Sequence, residues 1–256
     1  MLSAAQAPFV SDPYESLEIG RGVGISKSTR VAVELLRVQQ ARHLDRVQRG
    51  ARVRDRGRRM TSPAAELSVD ATTGYLPRGR HRVNDADIRA RFVDHADFTA
   101  STTRHDVWDE YELGRDLLGS KVRIHAIWIG GSFLTSKVDA KDLDALFIVS
   151  ARDYRKLDAA DQAVVASFIP RTGPLGTPVR GHGLKRLDSF LLLWAPYSPL
   201  NPKTTPDHNE YAVWRGYWDD FWQRDRHNKP DGIPPHWKDA LPVRGYLEVE
   251  LDDFAR

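Results

Sequence analysis

Apolar positions along the chain follow two periods. "SKSTRVAVELLRVQQARHLDRVQRG" spaces Val31, Leu35, Val38, Leu44 and Val47 along one helical side, with Ser26 or Ser28 as its cap. The same period predicts a short helix in "NDADIRARFV" behind the capping residue Asn84. It predicts a second in "RHDVWDEYELGRDLLGS", built on Val107, Tyr111, Leu113 and Leu117 and ended by Gly119, and a third over residues 158–169. Interleaved with these are strand patterns. "KVRIHAIWIGG" alternates, is rich in Ile and Val, and stops at two glycines. "DLDALFIVS", "LDSFLLLWAPYS" and "RGYLEVELDD" read as further strands, with an aromatic-rich helix, "NEYAVWRGYWDDFWQRDR", before the last. Helices and strands mixed in this order predict an α+β fold.

Composition divides the chain unevenly. Residues 1–25 mix Pro, Gly, Ser and acids without period and read as a tail. Residues 26–60 form a basic helical arm, since about a dozen Arg and Lys stand against three acids between Arg21 and Arg59. Pro63, Gly74 and Pro77 mark a linker over residues 61–76, and "GYLPRGRHRV" continues its composition to Val83. One domain over residues 77–256 follows. The whole chain carries a formal charge of only +3, which does not by itself imply affinity for nucleic acid; the arm reads first as a solvated basic helix packing one stripe on the body or on a second subunit, with nucleic-acid contact as the alternative. With no cysteine, no apolar run near membrane-spanning length and no basic-then-apolar start, a cytoplasmic protein with no membrane partner is expected.

Candidate chemistry concentrates in "GGSFLTSKVDAKDLDALFIV". On a strand, side chains two residues apart share a face, so Asp142 and Asp144 point together while Leu143 turns to the core. Two adjacent carboxylates repel each other unless a cation joins them. A hard divalent ion such as Mg²⁺ takes oxygen ligands from one or two carboxylates and from the phosphates of a substrate. Gly130 and Gly131 let backbone approach a ligand closely, and a helix starting near Ser132 is expected to turn free N–H groups toward a phosphate. Lys137, Arg224 and Arg226 are candidate phosphate contacts from the loop and from the aromatic-rich segment.

A strand, Gly-Gly-Ser, about nine residues, then Asp-x-Asp between hydrophobic residues resembles the nucleotidyltransferase superfamily with the DNA polymerase beta-like palm. The wording "WIGGSFLTSKVDAKDLDALFIV" looks closest to bacterial and prophage-associated nucleotidyltransferase-like proteins in which "GSF.T.K" precedes "D.D". The similarity extends over residues 74–251 and is specific in the Gly-Ser to Asp-x-Asp segment. It implies a mixed sheet flanked by helices, an NTP substrate held at Gly131 and Ser132, and two Mg²⁺ ions, or Mn²⁺, on Asp142 and Asp144. It further implies a third carboxylate from a neighbouring strand. Asp188 is the candidate, with Glu248 and Glu250 as rivals.

The activity so implied is transfer of a nucleoside monophosphate from an NTP to an RNA 3′ end, a tRNA or a protein, in a toxin-like or phage-defence setting. Two readings compete with it: an inactive nucleotide- or RNA-binding regulatory module, and a small-molecule nucleotidyltransferase of the aminoglycoside-modifying type. The arm is a candidate surface for a regulatory partner or for a homodimer. Scattered histidines without cysteine give no zinc motif, and His125 reads as a core residue. "GISKST" lacks the glycine-rich run of a Walker A loop, and there is no Gly-x-Ser-x-Gly elbow.

Overall fold

A mixed β-sheet forms the core of the described residues. The computed structural model describes residues 67–172, 178–179, 181–195, 205–225 and 241–251. The tail and basic arm expected before residue 61, and Arg226, lie outside the described residues. In chain order the elements are β1 (Gly79–Val83), α1 (Asp85–Phe92), α2 (Arg104–Gly119), β2 (Ile124–Gly130), β3 (Leu143–Ser150), α3 (Ala151–Tyr154), α4 (Ala159–Ala166), β4 (Arg171–Thr172), β5 (Pro178–Val179), β6 (Leu187–Trp194), α5 (Pro206–Gln223) and β7 (Gly245–Glu250). The five-stranded sheet runs β1-β7-β2-β3-β6; β4 and β5 pair separately. Strand β2 is antiparallel to both β3 and β7, while β3–β6 and β1–β7 are parallel. The α+β expectation holds.

Side-chain alternation sorts the core onto the two faces of the sheet. On one, Ile127, Ile129, Ala145, Phe147, Val149, Leu187 and Leu247 join Val107, Trp108, Tyr111 and Leu118 of α2. On the other, Ala126, Trp128, Leu146, Ile148, Leu192 and Tyr246 join Trp218 and Trp222 of α5. Because β2 and β3 are apolar on both faces, they read as continuous runs and occupy the covered centre of the sheet. His125 is buried as expected and sits where the β2–β3 register shifts.

Two expectations change. Residues 67–76, taken as the end of a linker, place Leu67 and Leu76 in the core. "GRHRV" is not linker but edge strand β1, whose Arg80 and Arg82 lie opposite Tyr246 and Glu248 of β7. Its alternate charges obscure the strand in the sequence, yet they are neutralised across the pair: Arg82 bonds Glu248 at 3.2 Å and Arg80 approaches the same carboxylate at 3.4 Å. Helix α2 ends at Gly119 as predicted, with Ser120 as its C-cap. Asn84 caps α1 as predicted, accepting from the Asp87 N–H at 2.8 Å. Among the described residues no helix is long and apolar enough to cross a membrane.

Candidate functional site

Sheet register sets the positions of the acidic residues. Gly130, the last residue of β2, pairs with Asp144 of β3, and Asp144 pairs in parallel register with Asp188 of β6. In-register residues on neighbouring strands, ~4.8 Å apart, present their side chains on the same face. Asp144 and Asp188 are therefore side by side on the face covered by α5, each half-buried. Asp142 precedes β3 by one residue and shares the parity of Asp144; it too is half-buried, while Leu143 between them is fully enclosed.

The glycines are required by this packing. Gly131 has φ +75°, and a Cβ placed there would fall 1.7 Å from Oδ2 of Asp144, so the carboxylate lies directly over the glycine backbone. At Gly130 a Cβ would meet the Trp222 ring at 2.3 Å. The end of α5 therefore closes down on the end of β2. There Arg224 caps the helix and pairs with Asp220 one turn back. The Tyr75 hydroxyl donates to Asp225 at 2.6 Å, and burial, then this carboxylate, pushes the phenol up to about 12.

Ser132 opens only a three-residue 3-10 turn, Ser132–Leu134, where a helix was expected. The cause lies outside the loop. Arg104, at the start of α2, is fully buried and takes the carbonyls of Phe133 (2.8 Å), Thr135 (3.1 Å), Lys137 (2.6 Å) and Val138 (3.0 Å), so those of Phe133 and Thr135 are drawn away from the bonds a continuing helix needs. Thr135 closes the turn by donating from its N–H and hydroxyl to the Ser132 carbonyl. A short turn carries little of a helix macrodipole, so the backbone N–H groups of Gly131 and Ser132 are what the loop offers an anion. Lys137 has an exposed side chain beyond it.

The rival carboxylates are engaged elsewhere. Glu248 is buried, accepts from Trp128 Nε1 at 2.8 Å and meets Arg80 and Arg82; Glu250 pairs with Arg82 at 3.4 Å. Both lie on β7, across β2 from Asp144. Ser189 and His182 form a buried contact on the opposite face from Asp188, but the arrangement is structural. The His182 Nδ1 accepts from the Leu184 N–H, its Nε2 meets the Ser189 hydroxyl at 2.8 Å, and that hydroxyl donates to the Phe168 carbonyl. The serine proton is already committed.

The described region coincides with a known family. Residues 67–234 match DUF6932, a family of unknown function. The chain belongs to that family. No curated protein and no solved structure matches it. The DUF6932 segment begins at Leu67, the first described core residue, and spans the whole Gly130–Asp144–Asp188 row, but stops short of β7.

For a divalent cation, the chemistry of the donors fits. Asp144 and Asp188, half-buried and side by side in register, are two carboxylates of the kind and number Mg²⁺ takes from protein when phosphates and water complete its shell, and Asp142 lies two positions along from Asp144. Among the described residues no three acidic or imidazole side chains converge into a ready-made metal cage. Arg104 and its neighbours were not singled out in the sequence, although a signal exists. A cation in the first helical turn opposes the macrodipole and needs a compensating partner.

Proposed function

We infer that this protein is a metal-dependent nucleotidyltransferase. The observation that carries the reading is the registered row Gly130–Asp144–Asp188, which puts the candidate third carboxylate on the strand beside the Asp-x-Asp pair. Asp142, Asp144 and Asp188 are the residues to hold Mg²⁺, which when bound neutralises phosphate charge and steadies the leaving pyrophosphate. The Gly131 and Ser132 backbone N–H groups and the exposed Lys137 are the groups assigned to the NTP phosphates in this reading. Arg224 is a further phosphate contact on release from Asp220. The acceptor oxygen attacks the α-phosphorus, the new O–P bond forms as the bond to pyrophosphate breaks, and the acceptor proton passes to a carboxylate, for which Asp188 is the candidate. An RNA 3′ end or a protein hydroxyl is the favoured acceptor.

Incubation with each α-³²P-labelled NTP, Mg²⁺ or Mn²⁺, and total RNA or cell lysate tests this. The expected result is a labelled acceptor band, lost in the Asp142→Ala/Asp144→Ala double variant. Nucleotide binding with no label under any condition would instead support a regulatory module.

A further inference from the structure

Between the glycines and the aspartates, the loop is held less by its own turn than by the start of α2. All five N–H donors of Arg104 are used. Besides the four loop carbonyls, its Nη1 donates to the Phe92 carbonyl at 2.8 Å, and the guanidinium lies 3.7 Å from the centre of the Phe98 ring. Its neighbours grip the far end of the same loop. Thr103 Oγ1 donates to the Ala140 carbonyl at 2.6 Å, and Asp139 accepts from the Thr102 N–H at 2.8 Å and from the Ser101 hydroxyl at 3.1 Å. The segment from Phe133 to Ala140 is therefore pinned at five carbonyls and one side chain by four consecutive residues.

We propose that residues 101–104 are a positioning device for the phosphate loop, with Arg104 its principal residue, fixing Ser132 on one side and Asp142 on the other relative to Asp144. The proposal rests on the nucleotidyltransferase reading for its purpose, and on the contacts alone for its mechanics. A planar guanidinium with five donors in a fixed fork can face carbonyls at five different angles. An ammonium has three donors around one point and cannot. The absence of a directly bonded carboxylate matters too. Carbonyl dipoles fix the cation to the backbone, so its contacts depend on the path of the loop and not on the identity of the loop's side chains.

Arg104→Lys separates this role from general packing when compared with Leu118→Ala, a fully buried position at the other end of the same helix. Both variants are expected to lower Tm. Hydrogen exchange should accelerate at residues 133–140 in Arg104→Lys alone, with strands β2 and β3 still protected. Affinity for Mg²⁺ with ATP, GTP, CTP or UTP, whichever the wild type binds, should weaken by about tenfold or more in Arg104→Lys and stay unchanged in Leu118→Ala. Wild-type exchange in the Arg104→Lys loop, or equal loosening of it in Leu118→Ala, overturns the proposal. If the wild type binds no nucleotide, the functional reading fails and the exchange comparison decides the positioning role. Should Arg104→Lys not fold, Thr103→Val serves instead, with faster exchange at residues 140–142 expected and unchanged exchange contradicting the proposal.

Discussion

At the residue scale, Gly131 meets two demands at once. A side chain there would have to adopt φ +75° with ψ −163°, a region essentially confined to glycine, at a cost of roughly 1–3 kcal/mol, and its Cβ would occupy the space of the Asp144 carboxylate. Gly79 isolates the first demand from the second, because it also has positive φ, +105°, but nothing within 4 Å of a Cβ. Gly131→Ala is thus expected to lose more stability than Gly79→Ala in denaturant melts, and only Gly131→Ala loses Mn²⁺ binding. Equal retention of Mn²⁺ by both would show that the Asp144 carboxylate need not lie where it does. Trp222 makes a third demand on the same corner, since its ring fills the place of a Gly130 side chain. Gly130→Ala is expected to push the end of α5 outward and to raise the fluorescence anisotropy decay of its tryptophans.

At the element scale, the loop and the start of α2 form one unit, and pH probes their connection. Asp139 is held below its ordinary 3.8 first by the Thr102 backbone N–H, with its hydroxyl partners adding to the effect. A carboxyl depressed in the folded state contributes stability above its unfolded pKa and loses it as pH falls through the folded one. Loop protection is therefore expected to decline below about pH 3.8, the ordinary aspartate range, and Asp139→Asn should abolish that part of the pH dependence. Hydrogen exchange at residues 136–141 across acid pH checks it; an unaltered profile in the variant contradicts the assignment. The strands were legible because β2, β3 and β6 are apolar runs between turn residues. The turn after Ser132 was not, because local period says nothing of an arginine thirty residues earlier taking its carbonyls. Strand β1 was hidden for a related reason: its charges make sense only opposite Glu248 and Glu250.

On the scale of the whole molecule, β7 is the last described strand in sequence and the second in the sheet, between β1 and β2. It buries Tyr246, Leu247 and Val249 and brings Glu248 to Arg80, Arg82 and Trp128. A chain ending at residue 240 would leave β1 without a partner strand, bare one edge of β2 and deprive Trp128 of its hydrogen-bond acceptor, so it is expected to lose cooperative thermal unfolding; a sharp transition in that truncation would contradict the role given to β7. The acidic pair of β3 was visible in the sequence, but the register that brings Asp188 beside Asp144 is a property of the sheet, fixed by parallel pairing of strands more than forty residues apart. That row is the central claim, and Mn²⁺ titration followed by electron paramagnetic resonance tests it most directly, with non-hydrolysable analogues of the four NTPs present. The account predicts saturable Mn²⁺ binding in the wild type that is lost in Asp144→Asn and strongly weakened in Asp188→Asn, both folded as judged by circular dichroism. Wild-type binding in Asp144→Asn, or no binding in the wild type, would contradict it.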